Sequence, residues 1–248
     1  MRMLFPEATD PVDPEVVYAD LPTASGRPSV RLNMIVSVDG GTSWNGVSGA
    51  LGGPADKALF ATMRALTDVV LVASGTMRAE NYGPVILSPE RQDERRARGQ
   101  EPVPAIAVVS SSCRFDWSSP FFSAATRRPY IVTVDSADPE AREQAQQFAD
   151  VIVAGTDTVD LTVAIREIGA RGARSILAEG GPTLNGELAQ AMLLDELCVT
   201  LAPLLASGDA KRLIAGSSLE MLAPLAVHSV CEEDDYLFLR YRRAPTTR

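Results

Sequence analysis

Apolar and polar positions along the chain follow two periods, and their order predicts strands alternating with helices. Residues 30–39, "VRLNMIVSVD", alternate and end in the turn signal Asp39-Gly40-Gly41, which reads as a buried strand and a loop. Gly52-Gly53-Pro54-Ala55-Asp56 opens a helix, with Pro54 suited to the first turn and Ala58, Leu59, Met63 and Leu66 on one face. Residues 68–73, "DVVLVA", run apolar without a break, as a strand covered on both faces does. Ser74-Gly75-Thr76 starts the next helical turn. The same reading predicts strands over 104–109, 130–134, 151–154, 175–178 and 197–202, with helices over 139–148, 161–171 and 184–193. Residues 88–100, "SPERQDERRARGQ", are charged throughout and read as a solvated loop or short helix. Near the end, the alternating runs 225–230 and 236–241 flank Glu232-Glu233-Asp234-Asp235 and predict an antiparallel hairpin.

Strands separated by helices imply a mostly parallel α/β sheet flanked by helices, with the hairpin adding antiparallel strands at one edge. No internal repeat divides the chain, so residues 30–248 read as one domain and residues 1–29 as an N-terminal extension. With 46% apolar residues among 248, the chain can bury a full core, and no apolar run is long enough to span a bilayer. The acidic, proline-containing start has no apolar signal core, which points to the cytoplasm. A formal charge of −9 with no basic block interleaved with aromatics argues against a nucleic-acid partner and toward a small ligand.

The counts of two residue types remove much chemistry. Cys113, Cys198 and Cys231 are scattered singly and His228 is the single histidine, so no His/Cys zinc site can be assembled and no metal is expected. A Ser-His-Asp triad would have to use His228, with no nucleophile elbow in the chain. Any difficult chemistry then belongs to an organic cofactor.

The stretch "AEGGPTLNGEL", residues 178–188, is where such a cofactor would sit. Ligands of parallel sheets lie beyond the carboxyl ends of strands. There Gly180 and Gly181 let backbone approach a ligand, and the helix that follows Pro182, Thr183 and Leu184 aims free N–H groups at an anion. This is neither G-x-G-x-x-G nor G-x-x-x-x-G-K-[ST], and a tight strand-to-helix turn without function accounts for the glycines equally well.

The segments "LNMIVSVDGG", "VLVASGTMRAENYG", "IAVVSSS" and "ILAEGGPTLNGELAQAMLLDELCVTLAPLL" together resemble the reductase domain of riboflavin biosynthesis, the 5-amino-6-(5-phosphoribosylamino)uracil reductases. The resemblance runs from residue 30 to residue 241. It implies a dihydrofolate reductase-like fold, a stand-alone reductase without the deaminase domain, NADPH as cofactor and a homodimer. It further implies that residues 181–187 face the cofactor diphosphate, that Thr76 touches the cofactor, and that Glu179, Ser48 and Arg64 contact substrate, Arg64 through the sugar phosphate. Ser110, Ser111 and Arg114 follow a strand where folds of this type place the adenosine 2′-phosphate.

Two departures from the family pattern fall near the expected reaction centre: Glu80 stands where many members have Asp, and Asn33 where they have Lys. The implied reaction is NADPH-dependent hydride transfer to C1′ of a ribosylamino-pyrimidine, turning ribosyl into ribityl. Asp39, Glu80 and Glu179 are the candidate proton-handling carboxylates. Two alternatives accompany this reading. Asp56 in "GGPADKALF" resembles the helix-start acid that faces the pterin in dihydrofolate reductases, or it simply complements the helix dipole. The other alternative is a non-catalytic NADPH-binding protein.

Overall fold

The computed structural model describes residues 1–244. In chain order it comprises β1 (Arg2–Phe5), α1 (Pro14–Ala19), β2 (Ser29–Ser37), α2 (Pro54–Leu66), β3 (Val69–Ala73) and α3 (Ser74–Ala79). The middle of the chain forms α4 (Pro89–Ala97), β4 (Ala105–Val109), α5 (Pro120–Ser123), β5 (Tyr130–Thr133), α6 (Pro139–Phe148) and β6 (Asp150–Val153). The last elements are α7 (Leu161–Ala170), β7 (Ser175–Ala178), α8 (Pro182–Gln190), β8 (Glu196–Ala202), β9 (Leu225–Glu233) and β10 (Tyr236–Arg243).

The ten strands form one sheet in the order β1-β9-β10-β8-β2-β7-β3-β4-β5-β6. From β8 to β6 every neighbour pair is parallel, and β10, β9 and β1 add antiparallel strands at one edge. The unbroken apolar run of β3 is explained by its place inside this sheet. Val69 and Leu71 pack with Ile165 and Ile168 of α7 on one face, while Val70 and Val72 pack with Ile106, Val108 and Phe121 on the other. A strand whose alternate side chains both meet a helical layer has no solvent face, so period-two patterning disappears. Beside α2, a third cluster joins Leu59 and Met63 to Tyr18, Cys198 and Phe238.

The predicted strands and helices all form, with shifted ends: the helix expected over 184–193 begins at Pro182, and α2 turns Ala58 outward while burying Ala55 and Ala65. Residues 88–100 depart more from expectation. They contain α4, and Arg95 within it is fully buried. Its guanidinium donates to the carbonyls of Ala65, Thr67 and Glu101, closing the C-terminal end of α2, where carbonyls lack intrahelical partners. Burial lowers its pKa to about 10.

The N-terminal extension is likewise built into the domain. β1 pairs with β9 as the edge strand, α1 lies against α2, and Tyr18 is buried. The guanidiniums of Arg31 and Arg240 lie 5.5 and 4.7 Å from the centre of the Tyr18 ring. Arg31 and Arg240, together with Arg242, converge on the carboxylate of Glu196, whose side chain is fully buried. His228 stands 3.4 Å from Asp20 in this region. Among the described residues no helix is long and apolar enough to cross a membrane, and no group of three or more His, Cys, Asp or Glu could hold a metal.

Candidate active site

Two cavities mark opposite ends of the sheet. The larger, about 790 Å³, opens at the amino ends of β2, β3 and β7 beside Ser29, Asp68 and Ser175. The smaller, about 350 Å³, lies between α2, β2 and the loop after α3, and reaches Glu179 at the carboxyl end of β7. Reactive ligands of parallel sheets bind at carboxyl ends, because there the loops leave the sheet and helix N-termini face outward. The smaller cleft is therefore the candidate site.

Glu179 sets its character. Arg64 of α2 clamps it with two bonds, Nε to Oε1 at 2.7 Å and Nη2 to Oε2 at 2.6 Å, and the Tyr82 hydroxyl donates to Oε2 at 2.8 Å. The guanidinium lies over the Phe60 ring at 4.2 Å and the Tyr82 ring at 5.2 Å. Burial works against the Arg64 charge, but the Glu179 carboxylate more than offsets it and holds the guanidinium above its ordinary pKa. Burial, reinforced by Glu179, pushes the Tyr82 hydroxyl well up, so it stays a donor.

The other candidate carboxylates divide. Glu80 faces the cleft and accepts from the Ser48 N–H at 2.7 Å, which fixes the loop ahead of α2. Asp56 also lines the cleft, and desolvation raises its pKa against the Thr200 hydroxyl and Lys57, which pull it down. Asp39 does not join them. Its carboxylate accepts from Ser37 and from the N–H groups of Ala206 and Ser207, which hold its pKa at about 2. So firmly ionised a group ties down a loop and is a poor proton donor.

On the other side of Glu179 lies the glycine pair. Gly180 adopts φ 98°, a conformation open to glycine, and its carbonyl accepts from Ala73 N–H. Gly181 is the N-cap of α8 and supplies no side-chain cap, so the first N–H groups of the helix stay available to an anion. A β-carbon at Gly181 would lie 2.6 Å from the Thr76 hydroxyl oxygen, so glycine here lets Thr76 approach. The side chain of Leu184 belongs to the core, leaving only its backbone for a ligand. At the end of β4, Ser110 is buried and Ser111 exposed, while Arg114 pairs with Asp138 at 2.8 Å with its side chain 74% exposed.

The structure thus gathers Ser48, Asp56, Arg64, Glu80 and Glu179 around one cleft, and places Thr76 against Gly181. Sequence reasoning missed Phe60 and Tyr82. The spacing of Lys57, Phe60 and Arg64, three and four apart on α2, carried a signal for Phe60 as a face shared with Arg64. Tyr82 carried none, because its partners lie 18 and 97 positions away in the chain.

The family model for the RibD C-terminal domain matches residues 28–234. The 2,5-diamino-6-ribosylamino-4(3H)-pyrimidinone 5′-phosphate reductase of Methanothermobacter thermautotrophicus is 31% identical over 200 residues, covering 79% of this chain and 88% of that protein. The crystal structure of a pyrimidine reductase-like protein from Corynebacterium diphtheriae superposes with a TM-score of 0.82 at 29% identity, over 94% of this chain and all of that one. Dihydrofolate reductase from Enterococcus faecalis, complexed with NADP(H), shares the fold at a TM-score of 0.50 and 12% identity, over 88% of this chain and 97% of that one.

Proposed function

Because this chain belongs to the RibD C-terminal domain family, we propose that it is a reductase of riboflavin biosynthesis that converts the ribosyl group of a ribosylamino-pyrimidine 5′-phosphate into ribityl. It is an oxidoreductase with a dihydrofolate reductase-like fold, and its cofactor is a nicotinamide. The likeness to the M. thermautotrophicus reductase over most of that protein carries the reading. The relatives' names favour the pyrimidine over a dihydropterin, and favour catalysis over mere cofactor binding.

The residues present fit NADPH. Gly180, Gly181, Thr183 and the backbone of Leu184 would face the diphosphate across the uncapped start of α8, with Pro182 fixing the first turn and Thr76 beside them. Ser110, Ser111 and Arg114 would take the 2′-phosphate. When bound, the reduced nicotinamide supplies the hydride that C1′ receives. The chain's part is to hold the acceptor carbon in place and exclude water, and positioning of this kind contributes much of the rate in hydride transfers. The Arg64–Glu179–Tyr82 cluster gives that placement a rigid wall, since each member is fixed by the other two. Of the carboxylates named as proton handlers, Glu80 and Glu179 line the cleft and are placed to serve the nitrogen side of the reduction. Leu205, Met221 and Leu222 stand 81, 83 and 95% exposed in the segment between β8 and β9 and are the apolar side chains offered for a homodimer contact, which sedimentation of the purified protein reads directly.

Anaerobic NADPH oxidation tests the function. Turnover is expected with 2,5-diamino-6-ribosylamino-4(3H)-pyrimidinone 5′-phosphate or with its deaminated uracil counterpart, and oxidation with dihydrofolate alone would overturn the reading. Gly181→Ala should weaken NADPH about tenfold or more, because the new methyl group displaces Thr76 from the diphosphate site. Unchanged affinity by fluorescence titration would remove the glycine pair from the cofactor site. Arg114→Ala should weaken NADPH by about tenfold while NADH affinity hardly moves. That expectation sits at the lower end for a charge-assisted bond, since Arg114 is exposed and already shared with Asp138. Equal weakening of both cofactors would exclude a 2′-phosphate role.

A further inference from the structure

The larger cavity, about 790 Å³ at the amino ends of β2, β3 and β7, takes no part in the cleft described above. Arg174 stands one position before β7 and Glu179 one position after it, so the two lie roughly 16 Å apart along the strand, and the cavity is a place of its own. In a chain with a formal charge of −9, its walls carry four arginines, Arg27, Arg98, Arg166 and Arg174, against one carboxylate, Asp68. That carboxylate is already engaged. Its Oδ2 accepts from the N–H groups of Arg174 and Ser175 and from the Ser175 hydroxyl, and its Oδ1 accepts from the Gln100 amide. Two of the arginines have carboxylate partners, Asp195 for Arg27 and Glu15 for Arg98. Arg166 of α7 and Arg174 are exposed, and among the described residues no carboxylate lies within ion-pair distance of either. The Arg174 guanidinium instead donates to the carbonyl of Arg98 at 3.2 Å, which draws two cations together.

Guanidiniums gathered around a concave surface repel one another, and the field they focus within it attracts an anion. We propose that this cavity is a second binding site, for a compact phosphate anion carrying two or more charges. The walls select that class. Guanidinium forks match phosphate oxygens in pairs, and Arg166 and Arg174 have donors to offer. The described lining holds no aromatic ring on which a base could stack, its apolar part being Leu21, Pro22, Leu66 and small residues, so a pyrophosphate or a sugar phosphate fits where a nucleotide held by its base does not. One side of the cavity is firmly built: a β-carbon at Gly169 of α7 would lie 2.7 Å from the Pro28 ring, so glycine lets the helix and the chain entering β2 meet closely. The free arginines therefore stand on backbone whose position is fixed by packing, at the opposite end of the sheet from the reaction.

The test is calorimetric titration of the whole protein with inorganic pyrophosphate and, separately, with ribose 5-phosphate, at fixed ionic strength and with and without saturating NADPH. Binding should persist when NADPH is present, and should raise the thermal midpoint by about 5 °C or more at a hundredfold excess over Kd. Whichever anion binds more tightly identifies the source of the phosphate. Replacing Arg166 and Arg174 together by Gln should weaken binding by about tenfold or more and leave NADPH affinity unchanged. Arg171→Gln is the control, since that arginine lies outside the cavity and is paired with Glu167 at 2.7 Å, and it should change nothing. Ala170→Glu keeps every arginine but adds a carboxylate to the lining, and should abolish binding by repulsion. The assignment would be overturned by the absence of binding with both anions, by binding that NADPH displaces, by equal weakening in Arg171→Gln, or by binding that the double variant and Ala170→Glu leave intact.

Discussion

Replacing Glu196 by Gln should lower the stability of the fold by about 3 to 5 kcal/mol, the usual result of stranding one side of a buried ion pair. The Glu196 carboxylate is fully buried and takes bonds from three guanidiniums: Arg31, Arg240 at 2.7 Å and Arg242 at 3.0 Å. Arg31 and Arg240 are themselves almost fully buried, and their Nη groups also donate to the carbonyls of Val17, Tyr18 and Asp20. Gln keeps the shape but removes the one negative charge at their centre. For a chain of this size the thermal midpoint should fall by about 10 °C, and residues 1–28 should become a site of limited proteolysis, because the same arginines tie that segment to β8 and β10. A midpoint within about 2 °C of wild type would show that the cluster contributes little. The pH dependence has a fixed sign. Burial pushes the Glu196 carboxyl up, but Arg31, Arg240 and Arg242 together hold it below its ordinary value of 4.5. Its contribution is therefore complete above that value and is lost as pH falls through the lower folded value, and Glu196→Gln should flatten this acid limb of the wild-type stability curve.

Glu179→Gln should reduce kcat/KM by roughly two to three orders of magnitude, the kinetic equivalent of about 3 to 4 kcal/mol. The change leaves Arg64 buried without its counter-charge and weakens the Tyr82 bond, so the wall of the cleft loses its fixed geometry. Stability should fall as well, and a second variant separates the two effects. In Arg64→Met combined with Glu179→Leu, apolar groups of similar length replace both charges, which should recover much of the midpoint without recovering turnover. Near-wild-type turnover in that double variant would mean that the pair serves folding alone. NADPH affinity should change little in either, since the uncapped start of α8 is intact.

The pattern of apolar residues by itself determined the α/β order and nearly every strand and helix, because each is encoded by contacts within a few positions: alternation in β10, a doubly covered run in β3, a helix face in α7. The motif at residues 178–188 likewise made its turn legible, since a positive φ at Gly180 and an uncapped helix start are local properties. What failed was non-local. Residues 88–100 read as solvated because charge is polar in sequence, yet Arg95 is buried on the carbonyl end of α2, a partner some thirty positions away that only tertiary structure supplies. The start of the chain read as an appendage because a four-residue edge strand and a six-residue helix are too short to show a period, while its anchors, Glu196 and Arg240, lie near the other end. The site divides the same way. The family resemblance nominated Arg64 and Glu179 as substrate contacts and left Asp39, Glu80 and Glu179 as the candidate carboxylates, but a charge's work depends on what already neutralises it. Folding gave Asp39 to a loop and joined Arg64 to Glu179, because a carboxylate taken out of water holds whichever cation the packing brings to it.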